Sequence, residues 1–191
     1  MQDVAALLED LTSDDDQRAE TAIEELSRIG EPAVQSVLDL AKSADPDHRW
    51  WALHALAALN TPLASQAFIG SLSDSDVAVR HCAALGLRHN PSEEAIPHLI
   101  DVLSSDDRLF ARLAGDALTV IGKPAIPTLA NALQSEDPAL RGEAARALAL
   151  MQDPETIPIL FTAIEDPSGI VQHWVEEGLD RLGVGMAFFK S

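Results

Sequence analysis

Apolar residues return at helical spacing along most of the chain, and that pattern itself returns every 30 or 31 residues. Six leucines mark it: Leu26, Leu56, Leu87, Leu118, Leu148 and Leu179. Four positions earlier stand Ala22, Ala52, Ala83, Ala114, Ala144 and Val175, and three positions later Ile29, Leu59, Asn90, Ile121, Met151 and Leu182. Positions −4, 0 and +3 about each leucine therefore form one stripe of a helix, broken by Asn90. Immediately before the leucines lie Glu25, Ala55, Gly86, Ala117, Ala147 and Gly178. Small side chains there let one helix approach the next closely. A unit of this length cannot bury its apolar face alone, so the repeats must stack on one another.

Start and stop signals delimit this helix. Eleven residues before the leucine, Asp15, Asp45, Asp76, Asp107 and Asp137 can cap the first free amides, and Pro46, Pro138 and Pro167 suit a first turn. Gly30, Asn60, Asn90, Gly122 and Gly183 accept left-handed backbone and mark its end, with a proline soon after at 32, 62, 91 or 124. A second helix is read from three matching phrases, Ala95 to Leu99, Ala125 to Leu129 and Thr156 to Leu160, each with a proline (Pro97, Pro127, Pro158) expected in a first turn. The pattern predicts six helix pairs and no strand. Helix A covers 2–12, 32–43, 62–72, 93–104, 124–134 and 154–165, and a helix B follows each. The repeats are 1–30, 31–60, 61–90, 91–122, 123–152 and 153–183, and the apolar tail over 184–191 is expected to fold back as a cap on a single domain, 1–191.

The phrase Asp-x-x-x-Arg followed by Ala-x-x-Ala-Leu occurs at Asp45 to Leu56 and Asp137 to Leu148, and at Asp76 to Leu87 with Gly86 replacing the second alanine. It resembles HEAT repeats, more narrowly the HEAT-like repeats of phycobilisome (bilin) lyases, and the resemblance runs from Val4 to Leu182. It implies an all-α fold, an α-α superhelix or right-handed solenoid of about six helix pairs, with the B helices lining the concave face. Such repeats occur in bilin lyases, chaperone-like factors, hydroxylases and pure scaffolds. Function must therefore be sought in residues that do not recur.

Charge narrows the partners. With 13 Lys plus Arg against 31 Asp plus Glu, the formal charge is −18, which opposes binding to nucleic-acid phosphates. No run reaches the roughly 18 uncharged apolar residues of a membrane span, and the acidic N-terminus does not read as a signal peptide. A cytoplasmic location is expected. The lone Cys82 forms no internal disulfide and is read as a buried, inert thiol.

The arginines seven before the leucine, Arg49, Arg80 and Arg141, recur and are read as structural, bonding along the helix or to the adjoining turn; Gln172 replaces them in the last repeat. Positions −6, −2 and +1 share a face away from the packing stripe and vary between repeats. They bring Trp50, His54, His81, Arg88, Arg112, Asp116, Arg146 and His173 forward as protein-binding candidates, with Trp50 an interface anchor. Trp50 and Trp51 are adjacent and cannot both point the same way. No metal site is expected: the iron hydroxylases of the resembled class use His-Glu pairs, and this chain has none. No phosphate loop or nucleophile motif is present. The expected function is a non-catalytic interaction scaffold or assembly and maturation factor, without a cofactor, that binds a protein or peptide on the B-helix face and self-associates at most weakly through its tail. The alternative is a bilin lyase-like or tetrapyrrole-handling protein, one subunit of two. There arginine would pair propionates, and tryptophan would stack on the chromophore.

Overall fold

A computed structural model describes residues 3–13 and 15–184. Twelve α-helices and three 3-10 turns, with no strand, make up the described residues. The chain forms two compact halves, Met1–Pro91 and Ser92–Ser191. In the first half the pairs are α1 (Val4–Leu11) with α2 (Asp16–Ile29), α3 (Glu31–Leu40) with α4 (Pro46–Leu59), and α5 (Pro62–Ser71) with α6 (Val77–His89). Helix α4 packs on both α2 and α6, while α3 lies against α1 and α5. In the second half α7 (Ile96–Val102) pairs with α8 (Arg108–Ile121), α9 (Ile126–Ala132) with α10 (Pro138–Met151), and α11 (Ile157–Phe161) with α12 (Gly169–Arg181). There α10 packs on α8 and α12.

The stripe is the core. Every anchor leucine and every residue four before it is fully buried, and each buried leucine contributes about 2 kcal/mol of transfer free energy. The small residues beside the leucines are required by contact. A Cβ on Gly86 would lie 2.3 Å from the Phe68 ring, and one on Gly178 would lie 2.9 Å from the Ala149 backbone. The +3 row differs from expectation. Its apolar members are half-buried, and Asn90, expected to break the stripe, is its one buried member. Its Nδ2 donates to the carbonyls of Gly86 (3.3 Å) and, in α4, Ala57 (3.5 Å), while its Oδ1 is buried without a hydrogen-bond partner.

All five capping aspartates work. Asp15 accepts from the amides of Gln17 and Arg18, Asp76 from Ala78 and Val79, and Asp45, Asp107 and Asp137 from one amide each. Ser168 makes no side-chain cap. At the other ends, Gly30 and Gly122 take φ 73° with ψ −137° and φ 76° with ψ −136°, backbone that only glycine adopts without strain. Asn60 is left-handed as expected, whereas Asn90 is not (φ −121°), and Gln152, not foreseen, takes the left-handed turn (φ 52°). The A helices of the second half begin later than their pattern implies. Each is preceded by a 3-10 turn, Glu93–Ala95, Lys123–Ala125 or Pro154–Thr156, and Pro97, Pro127 and Pro158 then sit in the first α turn. Helix α11 ends at Phe161 instead of 165 because amides 162, 163 and 164 bond three residues back. Of the tail expected as a cap, 185–191 lies outside the described residues.

The arginine row joins neighbouring turns. Arg49 clamps Asp74 with two bonds (2.8 and 2.7 Å) and also donates to the carbonyls of Ser43 and Ala44. In the second half Arg141 repeats this with Asp166 (2.7 and 3.1 Å) and the carbonyls of Ser135 and Glu136. Arg80 donates to the carbonyls of Asp74 and Ser75. Gln172 keeps part of the role by donating to the Asp166 carbonyl at 2.8 Å. The acceptors belong to a second recurring row: Ser43, Asp74, Ser105, Ser135 and Asp166 each accept the amide two residues on, building the turn before helix B.

Candidate functional site

In the first half, positions −6 and −2 of α4 and α6, with Ala57 at +1 of α4, wall a cavity of about 750 Å³ that Trp50, His54 and Ala57 share with His81, Cys82 and Leu85. Trp50 and His54 are half-buried, and Leu85 is 38% exposed at the rim. The aromatic rings support one another. Trp50 meets Trp51 edge to face (centroids 4.7 Å, 83°), and Trp51 stacks on His54 (5.9 Å, 20°). Contrary to expectation, the two tryptophans converge: both line a second, polar cavity of about 560 Å³ beside Asp45 and Asp47, and Trp50 borders both cavities. Within the wall the Cys82 thiol donates to the Trp50 carbonyl (3.8 Å), and burial pushes its pKa up to about 12. The His54 Nδ1 is buried without a hydrogen-bond partner. Arg88 is exposed on α6 and does not line the cavity.

The second-half candidates are arranged otherwise. Arg146, expected to face outward, is buried, and this corrects its placement. Its Nη2 contacts Asp116 Oδ1 (2.5 Å), its Nη1 lies 3.7 Å from Glu143 Oε2, and its guanidinium lies 5.8 Å from the Trp174 ring centre. The pair packs directly over Gly115, where a Cβ would stand in ordinary contact, 3.4 Å from Arg146 Nη1. Position −2 of α10 turned inward because its flanking face positions, Gly142 and Ala149, are small and buried. Arg112 stays exposed, 3.6 Å from the other Glu143 oxygen. His173 is exposed beside Trp174. Sequence reasoning missed Glu143 and Trp174, which lie one position from the face chosen.

The two carboxylates of the arginine rows are shifted by their partners. The hydrogen bonds from Arg49 and Arg141 hold Asp74 and Asp166 below the ordinary carboxylate value, outweighing their desolvation. Both belong to the arginine rows and to neither cavity. Among the described residues no group of three or more His, Cys, Asp or Glu is placed to bind a metal ion, and no helix is long and apolar enough to cross a membrane.

The repeat geometry has counterparts. The family model for HEAT repeats matches residues 4–88, 38–118 and 96–180, so the chain belongs to the HEAT-repeat family. A phycobilisome maturation protein from Synechococcus elongatus is 33% identical over 117 residues, 61% of this chain and 56% of that protein. The match thus spans about half the length of that relative. Among solved structures, the complex of CpcE and CpcF of phycocyanin lyase from Nostoc sp. PCC7120 is similar with a TM-score of 0.56 at 21% identity, covering 96% of this chain and 78% of the other. A designed armadillo repeat protein in complex with the peptide (KR)4 gives a TM-score of 0.52 at 17% identity, covering 95% and 100%. At these identities the structural likeness is one of fold. The expected all-α class of HEAT-like helix pairs is borne out.

Proposed function

We propose that the chain is a non-catalytic interaction module that binds a protein or peptide on the B-helix face of its first half, as a maturation factor for a larger assembly. The open cavity of about 750 Å³, with Trp50, His54, His81 and Leu85 at positions that vary between repeats, is the observation that carries this reading. Packing explains what recurs, and large side chains that do not recur are free to serve recognition. Exposed Arg88, and in the second half exposed Arg112 and His173, are further contact candidates. Similarity to the phycobilisome maturation protein supports a phycobilisome component as the partner.

A bilin-handling role is the second reading, favoured by a cavity of small-molecule size with tryptophan and histidine in its wall. Its weakness is electrostatic. No Lys or Arg lines the cavity, so the propionates of a tetrapyrrole would find only its histidines as cationic partners, and burial holds the Cys82 thiol protonated. The test is retention from native lysate on the intact chain and on a Trp50→Ala/Leu85→Ala variant, with mass spectrometry and an absorption spectrum of the eluate. A protein retained by the intact chain and lost by the variant is expected. A visible chromophore band would put the bilin reading first, and equal retention by both baits would refute the proposed face.

A further inference from the structure

We infer that the second cavity of the first half receives an arginine or lysine side chain, so that the partner docks through a cationic, apolar peptide segment. This deepens the binding role proposed above and rests on it. The cavity of about 560 Å³ is lined by Trp50 and Trp51 together with Asp16 and Glu20 of α2, Asp45, and Asp47 in the first turn of α4. No Lys or Arg lines it; its single basic group, His48, lies 3.9 Å from Asp45. Asp45 also spends an oxygen on the cap of α4. Asp16, Glu20 and Asp47 pair with no Lys or Arg among the described residues, although elsewhere in this half Asp10 meets Arg18, Glu25 meets Arg28 and Asp39 meets Lys42. Tryptophan faces attract cations, and carboxylates supply the acceptors that a guanidinium or ammonium needs. The chain's charge of −18 steers such a group inward from a distance.

What selects a peptide over a free cation is the neighbouring cavity. Trp50 lies in the wall of both, one lined chiefly by apolar groups and one by carboxylates. Two side chains of one extended segment can therefore occupy them together, an apolar one against His81 and Leu85 and a cationic one against Trp51. An acidic or uncharged polar segment supplies neither the cation nor the apolar side chain that the two cavities take.

The experiment is fluorescence anisotropy with a labelled peptide of alternating leucine and arginine, against versions with glutamate replacing arginine and with serine replacing leucine, at low and high salt. The intact chain is compared with Asp16→Asn/Glu20→Gln/Asp47→Asn and with Leu85→Ala; Asp47→Lys, on an exposed first turn, is the second carboxylate variant. Circular dichroism confirms that each variant is folded. The leucine–arginine peptide binds best, and added salt or carboxylate neutralisation weakens it about tenfold, in line with the loss of cation–π and ionic contacts. If both carboxylate variants bind the peptide as the intact chain does while Leu85→Ala weakens it, the cationic pocket is refuted and the apolar cleft stands. If Leu85→Ala has no effect either, the proposed binding face fails as well. Spermidine binding as tightly as the peptide would replace the peptide with a free polyamine as the occupant.

Discussion

Trp50, His54, Ala57, His81 and Leu85 of the first half surround an open cavity, whereas at equivalent positions of the second half Gly142, Arg146 and Ala149 are buried. The repeat is the same; the side chains differ in size and in the company they keep. Trp50 and Trp51 meet edge to face at the open surface of α4, while in the second half Arg146 of α10 is buried against Asp116 of α8 and beside Glu143. The same repeat thus leaves these variable positions around an open cavity in one half and buries three of them in the other without changing its core.

The largest expected effect lies in the open half and separates openness from reactivity. With its pKa pushed up to about 12, the Cys82 thiol should be alkylated at mildly alkaline pH about a thousandfold more slowly than a free cysteine, for want of thiolate. A time course with iodoacetamide checks this, and reaction at the free rate would mean that the cavity wall opens to water. Next comes the closed half. Arg146→Ala and Arg146→Met both leave Asp116 and Glu143 without their buried cation and should each cost about 3 kcal/mol, the alanine somewhat more because it also leaves a cavity. A methionine variant as stable in urea as the intact chain would show that packing, not charge, holds this face.

The arginine rows offer a control common to both halves. Arg49→Ala and Arg141→Ala should each cost about 2 kcal/mol, the worth of charge-assisted hydrogen bonds to mostly buried carboxylates. Because Asp74 and Asp166 titrate below their unfolded value, this stability is complete above about pH 4 and is lost as pH falls through the lowered values. Asp74→Asn should flatten that acid limb in thermal melts; an unchanged limb would assign it to other carboxylates. The smallest effect is at Leu85→Ala. Its rim position predicts a stability change within about 0.5 kcal/mol, while partner binding is lost.

The fold was legible because packing recurs. Leucines at one spacing, small residues at their sides and capping aspartates all repeat, so each local signal agreed with the others. The cavity was legible as a face, since Trp50, His54 and His81 fall on positions chosen by helical geometry alone. What escaped was pairing at long separation. Nothing local says that Arg49 meets Asp74, or that Arg146 turns inward to Asp116 and Trp174; both depend on how closely neighbouring helices approach. The Ser or Asp two residues before each capping aspartate could have been found, since that row repeats as regularly as the caps, but its purpose shows only in the bonds it receives. Asn90 misled as a sequence signal because a polar residue in an apolar row reads as a fault until its carbonyl partners are known.

The arginine rows also measure length. Each clamped arginine finds carbonyls within its own turn, five and six residues back, and a carboxylate 25 residues ahead. Excising one whole period would bring a clamped arginine to another Ser- or Asp-built turn before a helix B, whereas excising half a period would set it against the flank of a helix. Such a gene can lengthen or shorten by duplication and loss only in whole steps, and the count of repeats becomes a heritable quantity that drifts in integers.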